Sequence, residues 1–95
     1  MLFEWNRHKN ELLQQQRGIS FEMVEKAVKQ LELSSKQPEI IDHPNATKYP
    51  HQKIMFVELN DYVYEVPFVE TSTGAFLKTA YPSRKANKKF RELKS

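Results

Sequence analysis

Two short stretches of the chain carry the kinds of side chain that can do chemistry on RNA. The first is a polar segment with two prolines, His43-Pro44-Asn45-Ala46-Thr47-Lys48-Tyr49-Pro50-His51-Gln52, followed by Lys53. The second is Lys78-Thr79-Ala80-Tyr81-Pro82-Ser83-Arg84-Lys85, with Lys88 beyond it. Cutting RNA without a metal needs a base for the 2′-hydroxyl and an acid for the leaving oxygen. It also needs positive charge against the crowded phosphate. Histidine can move a proton near neutral pH, arginine can hold a phosphate with two donors at once, and tyrosine can stack on a base or donate a proton. These properties make His51 and Tyr81 the expected proton carriers, with Arg84 and Lys78 expected at the phosphate. Lys48, Tyr49, Lys53, Lys85 and Lys88 are the expected RNA-binding residues. Each has a plainer alternative. His43 precedes a proline and can simply shape a turn, His51 can be merely exposed, and Tyr49 can pack over a sheet edge. Arg84 is favoured because a strand-to-helix turn also offers backbone N–H groups to an anion.

The charge distribution points the same way. Residues 1–77 are net acidic, whereas residues 78–95 hold Lys78, Arg84, Lys85, Lys88, Lys89, Arg91 and Lys94 against Glu92 alone. A basic end on an acidic body suits a polyanion or an acidic protein partner, although a solvated basic helix accounts for the charge equally well. Other chemistries find little support. There is no cysteine, which excludes disulfides, thiolate metal sites and cysteine nucleophiles. The histidines at 8, 43 and 51 fit no usual metal-ligand spacing, so no metal and no cofactor is expected. With glycine only at 18 and 74, no glycine-rich phosphate loop can form. Nothing marks a serine nucleophile turn. The sequence has no apolar run long enough for a membrane span, and its first residues carry charge where a signal peptide is apolar, so a cytoplasmic location is expected.

These groups must be positioned by a small scaffold. Ninety-five residues with six Phe, four Tyr and one Trp suffice for one domain, 1–95, with a real core. Residues 2–5 read as a short edge strand. Asn6 caps a helix over Arg7 to Arg17, which Gly18 ends. Ser20 caps a second helix from Phe21 to Leu31 or Leu33, whose Phe21, Val24, Val28 and Leu31 form a core-facing stripe. Ile40-Ile41-Asp42 reads as a short strand. Lys53 to Leu59 and Tyr62 to Val69 read as a hairpin about Asn60-Asp61, with Val57 opposite Tyr64 and Met55 opposite Val66. Pro67 favours a bulge or an unpaired edge. Ala75 to Tyr81 reads as a third strand of the meander, and Ser83 caps a last helix from Arg84 to about Leu93. The order predicts an α+β fold, an antiparallel sheet of about three to four strands with two N-terminal helices and a C-terminal helix packed on one face.

Both ends of the chain resemble one known family. Phe3-Glu4-Trp5-Asn6, Lys9-Asn10 and Arg17-Gly18-Ile19-Ser20-Phe21-Glu22 are similar to the opening of BrnT-type toxins, and Tyr81-Pro82-Ser83-Arg84-Lys85-Ala86 is similar to their terminal strand and turn. The resemblance implies a RelE-like fold and the toxin of a type II toxin–antitoxin pair. Such a toxin is a metal-independent endoribonuclease that cleaves RNA to inhibit translation, in some cases on the ribosome. A small antitoxin protein neutralises it and carries the contact with operator DNA. Arg84 is the residue the resemblance marks as functional, and Lys85 accompanies it. The family's His-Ser and Glu-x-Arg segment is replaced here by His43 to Lys53, which leaves acid and base open. The alternative expectation is a module that binds RNA or an antitoxin without catalysis.

Overall fold

The computed structural model describes residues 1–94. Its elements are β1 (Leu2–Trp5), α1 (Arg7–Arg17), α2 (Phe21–Leu33), β2 (Glu39–Asp42), β3 (Gln52–Leu59), β4 (Tyr62–Glu70), β5 (Gly74–Leu77), β6 (Tyr81–Pro82) and α3 (Arg84–Lys94). The α+β class and the order of elements agree with the sequence reading. The sheet differs from it. It has six strands in the order β1-β5-β4-β3-β2, with β6 also on β4, and it is mixed, because β1 runs parallel to β5.

The caps explain the first helices. The Asn6 side chain accepts from Lys9 N, and Gly18 closes α1 in the left-handed conformation at φ 65°. A buried asparagine then sets the corner. Asn10 Oδ1 accepts from Phe21 N at 2.7 Å, and its Nδ2 donates to Glu22 Oε1 at 2.7 Å, which fixes the start of α2 against α1. The Lys-Asn and Phe-Glu pairs that carry the family resemblance are therefore, at Asn10, Phe21 and Glu22, parts of one helix–helix joint.

The hairpin has the register that its apolar pattern predicts, with Val57 opposite Tyr64 and Met55 opposite Val66. Asn60 and Asp61 both take positive φ, as a tight two-residue turn of this kind demands. Because side chains alternate along a strand, one face carries Met55, Val57, Leu59, Val66 and Phe68. They pack with Leu13 of α1, Ile19 of the connection, and Phe21, Val24 and Val28 of α2. Trp5 joins this core, its ring 5.7 Å from that of Phe21.

The third meander strand is broken. Lys78 N donates to Pro67 O at 2.8 Å, but Pro67 has no N–H to return on that side. Lys78 to Ala80 leave the ladder there, and pairing resumes only where Tyr81 meets Glu65. The helices also divide. The expectation that all three share one face is corrected, because α3 lies on the side of the sheet opposite α1 and α2, over Val63 and Phe56. Its first turn is tied to Val63. Ser83 N donates to Val63 O at 3.0 Å, and Val63 N donates to Asn87 Oδ1 at 3.2 Å. At its far end Arg91 donates to the Asp61 carbonyl, and it stands 3.5 Å from Glu58 Oε2, a buried oxygen that takes no hydrogen bond among the described residues and whose charge it offsets.

Candidate functional site

The face turned away from α1 and α2 carries Tyr81, and the turn that follows it carries Arg84 and Lys85. Across this face, register places Phe56, Glu65 and Tyr81 in one row on β3, β4 and β6. The Tyr81 phenol donates to Glu65 Oε1 at 3.2 Å. Burial, reinforced by the Glu65 charge and this hydrogen bond, pushes the Tyr81 pKa above its ordinary value, while Arg17 opposes the shift. Tyr81 therefore stays protonated at neutral pH, as a weaker acid than a free phenol. Arg17 donates to the Ala80 carbonyl and brings a further cation beside the phenol.

Lys78 lies on the same side, two residues along β4 from that row, with its Nζ 5.5 Å from the Phe76 ring centre. Beyond Tyr81, the chain turns through Ser83 into α3. Ser83 is buried, and its Oγ accepts from Ala86 N at 3.2 Å, so it acts as the helix cap. Arg84 and Lys85 follow in the first turn, both exposed, with no acidic residue beside them. Cations at that end of a helix oppose its dipole. The turn that carries the second half of the family resemblance therefore divides into a structural part, Ser83, and two charges that the helix itself does not favour.

Between α3 and the sheet runs an open groove of about 410 Å³. Phe56, Val63, Ala86 and Phe90 supply apolar wall, and Glu65, Lys85 and Lys89 supply charge. Arg84 and Lys88 fall on a neighbouring row of the helix and are exposed.

The loop after β2 is folded on itself. His43 Nδ1 accepts from Asn45 N at 3.0 Å, Lys48 N donates to Asn45 Oδ1 at 3.2 Å, and the His43 and Tyr49 rings sit 4.6 Å apart. Lys48 Nζ lies 5.3 Å from the centre of the Tyr49 ring. Pro44 brings this loop to the rim of the groove. Two expected site residues are set apart. His51 is exposed just before β3, five residues along that strand from the Tyr81 row, or about 16 Å of extended chain. Lys53 points to the other face, opposite Phe68, where its Nζ meets Glu70 Oε1 at 2.5 Å. The hydrogen bond and charge of Glu70 raise its pKa, despite a smaller desolvation effect.

Glu65 and Arg17 are the residues beside the candidate site that the sequence reading missed. Glu65 left one signal, a carboxylate opposite Phe56 in the interior of a largely apolar strand that only Glu70, at its end, otherwise charges. Arg17 left none, because its contact with Ala80 spans the chain. No group of three or more His, Asp or Glu side chains is placed to hold a metal ion among the described residues, and no described helix is long and apolar enough to cross a membrane. Compared with protein-family models, with curated proteins and with solved structures, the chain matches none.

Proposed function

We propose that this chain is a metal-independent endoribonuclease and acts as the toxin of a type II toxin–antitoxin pair, as its two terminal motifs suggest. The observation that carries the reading is the strand-to-helix turn itself, where Tyr81, bonded to Glu65, is followed by two exposed cations, Arg84 and Lys85, that sit against the dipole of α3. In this reading Arg84 and Lys78 hold the scissile phosphate, and Lys85, Lys88, Lys48 and Tyr49 hold the flanking RNA. The 2′-oxygen attacks phosphorus and its proton passes to water. The bond from phosphorus to the 5′-oxygen breaks, and that oxygen takes the Tyr81 proton. Water then returns a proton to the phenolate. The products are a 2′,3′-cyclic phosphate and a free 5′-hydroxyl.

Expression of the wild-type chain beside Arg84→Ala, with growth and cellular RNA followed together, tests the reading. Growth arrest with RNA breakdown, relieved by the substitution, is the expected result. Intact RNA at good soluble expression would sink it. One observation favours a second reading, a binding module without catalysis: His51 is about 16 Å of strand away from Tyr81, so the sheet does not assemble the expected acid–base pair. That reading predicts binding that weakens steeply with salt and leaves no cleaved product.

A further inference from the structure

The groove under α3 holds charges of both signs that do not meet. Glu65 and Glu39 line it from the sheet, and Lys85 and Lys89 line it from the helix. No ion pair crosses between them among the described residues. Phe56 from the sheet and Phe90 from the helix, both half-buried, also line the groove. A slot of about 410 Å³ is of small-molecule size. Its chemistry asks for a flat ligand that carries both N–H donors and negative charge.

A carboxylate can accept two hydrogen bonds side by side. Among the four RNA bases only guanine offers two adjacent N–H donors, its ring imino group and its exocyclic amine. Adenine and cytosine set a bare ring nitrogen beside their amine, and that lone pair repels a carboxylate. Uracil sets its imino group between two carbonyls. Tyr81 already orients the Glu65 carboxylate through Oε1, which has a further lone pair, and Oε2 takes no hydrogen bond among the described residues.

We propose that this groove is a guanine-nucleotide subsite. Glu65 reads the two donors of the base, Phe56 and Phe90 take its faces by stacking, and Lys85 and Lys89 meet its phosphate as point charges. The proposal rests on the RNA reading above in taking a nucleotide as the ligand. It adds a base preference that the cleavage chemistry does not require.

The test is calorimetric titration of the full chain with GMP, AMP, CMP and UMP at low salt, alongside mapping of cut sites in RNA. GMP is expected to bind at least about tenfold more tightly than the other three. Glu65→Gln, which keeps shape but swaps an acceptor for a donor, is expected to bring GMP to parity with them. Lys89→Ser is expected to weaken all four nucleotides alike and to leave guanosine unaffected. Equal binding of the four nucleotides, binding of a charged peptide but of none of them, or a GMP preference that survives Glu65→Gln would overturn the subsite. The two readings fail separately. Guanine-selective binding with intact RNA keeps the subsite and removes the ribonuclease. Cleavage that ignores guanine and ignores Glu65→Gln does the reverse.

Discussion

Tyr81 and Glu65 face each other across β6 and β4, and the phenol donates to the carboxylate at 3.2 Å. This pair links the strand that ends in the basic turn to the centre of the sheet. It also sets a pH dependence. The Tyr81 pKa is raised in the folded state above its ordinary 10.0, first by burial and then by the Glu65 charge. The native state therefore keeps a proton that the unfolded chain releases above that value. The stabilisation is complete below pH 10.0 and is lost as pH rises through the folded pKa. Urea unfolding between neutral pH and pH 11 should show wild-type stability falling at the alkaline end. Tyr81→Phe should flatten that fall, and at neutral pH should cost about 1 kcal/mol for the lost hydrogen bond. On the ribonuclease reading, the same variant should also lose most RNA cleavage.

Asn10 should matter more to stability than its single, polar side chain suggests. Its amide serves Phe21 N and Glu22 at once, and the residue is buried. Asn10→Ala leaves the Phe21 N–H without its acceptor and should cost about 2 kcal/mol in chemical denaturation. Asn10→Asp restores the acceptor but sets a carboxylate against Glu22. It should recover little of the loss at neutral pH, and more of it once the carboxyls are protonated.

The two glycines should respond differently to alanine. Gly18 has open space around it but sits at φ 65°, so Gly18→Ala should cost about 1 kcal/mol through backbone strain. A Cβ at Gly74 would overlap the Leu2 carbonyl oxygen on β1. Gly74→Ala should cost about 2 kcal/mol or more. The loss should appear as faster amide exchange along β1 and β5, with the β3–β4 hairpin protected as before.

Arg84→Ala should separate function from fold. The side chain is exposed and sits at the unfavourable end of α3, so its removal should leave thermal stability unchanged or raise it by a few tenths of a kcal/mol. On the ribonuclease reading, RNA cleavage and toxicity should fall on the same protein. Full activity in a folded Arg84→Ala chain would remove the central assignment.

What was legible in the sequence was local. Asn6, Gly18, Ser20 and Ser83 announce helix ends because a cap is a contact between near neighbours, and Asn60-Asp61 fixes the hairpin register because the turn is two residues long. The illegible parts are contacts between distant residues. Nothing near Leu2 says that it pairs in parallel with Gly74, and nothing near Asn87 says that it reaches Val63 N. The basic turn was legible as a cluster of neighbouring cations. Its union with Glu65 and Arg17 was not, because both arrive from other strands or helices. His51 looked suitable by residue type alone, and residue type says nothing about how far along β3 it stands from Tyr81.

The pairing of β1 with β5 has a consequence for how the chain comes into being. Leu2 leaves the ribosome well before Gly74, with α1, α2 and the β3–β4 hairpin between them in the chain. During translation β1 must wait without its ladder partner while α1, α2 and the β3–β4 hairpin assemble around shorter-range contacts. Ser83 and the basic turn emerge after β5. The apparatus proposed to cut RNA is therefore completed only after β1 to β5 have been made.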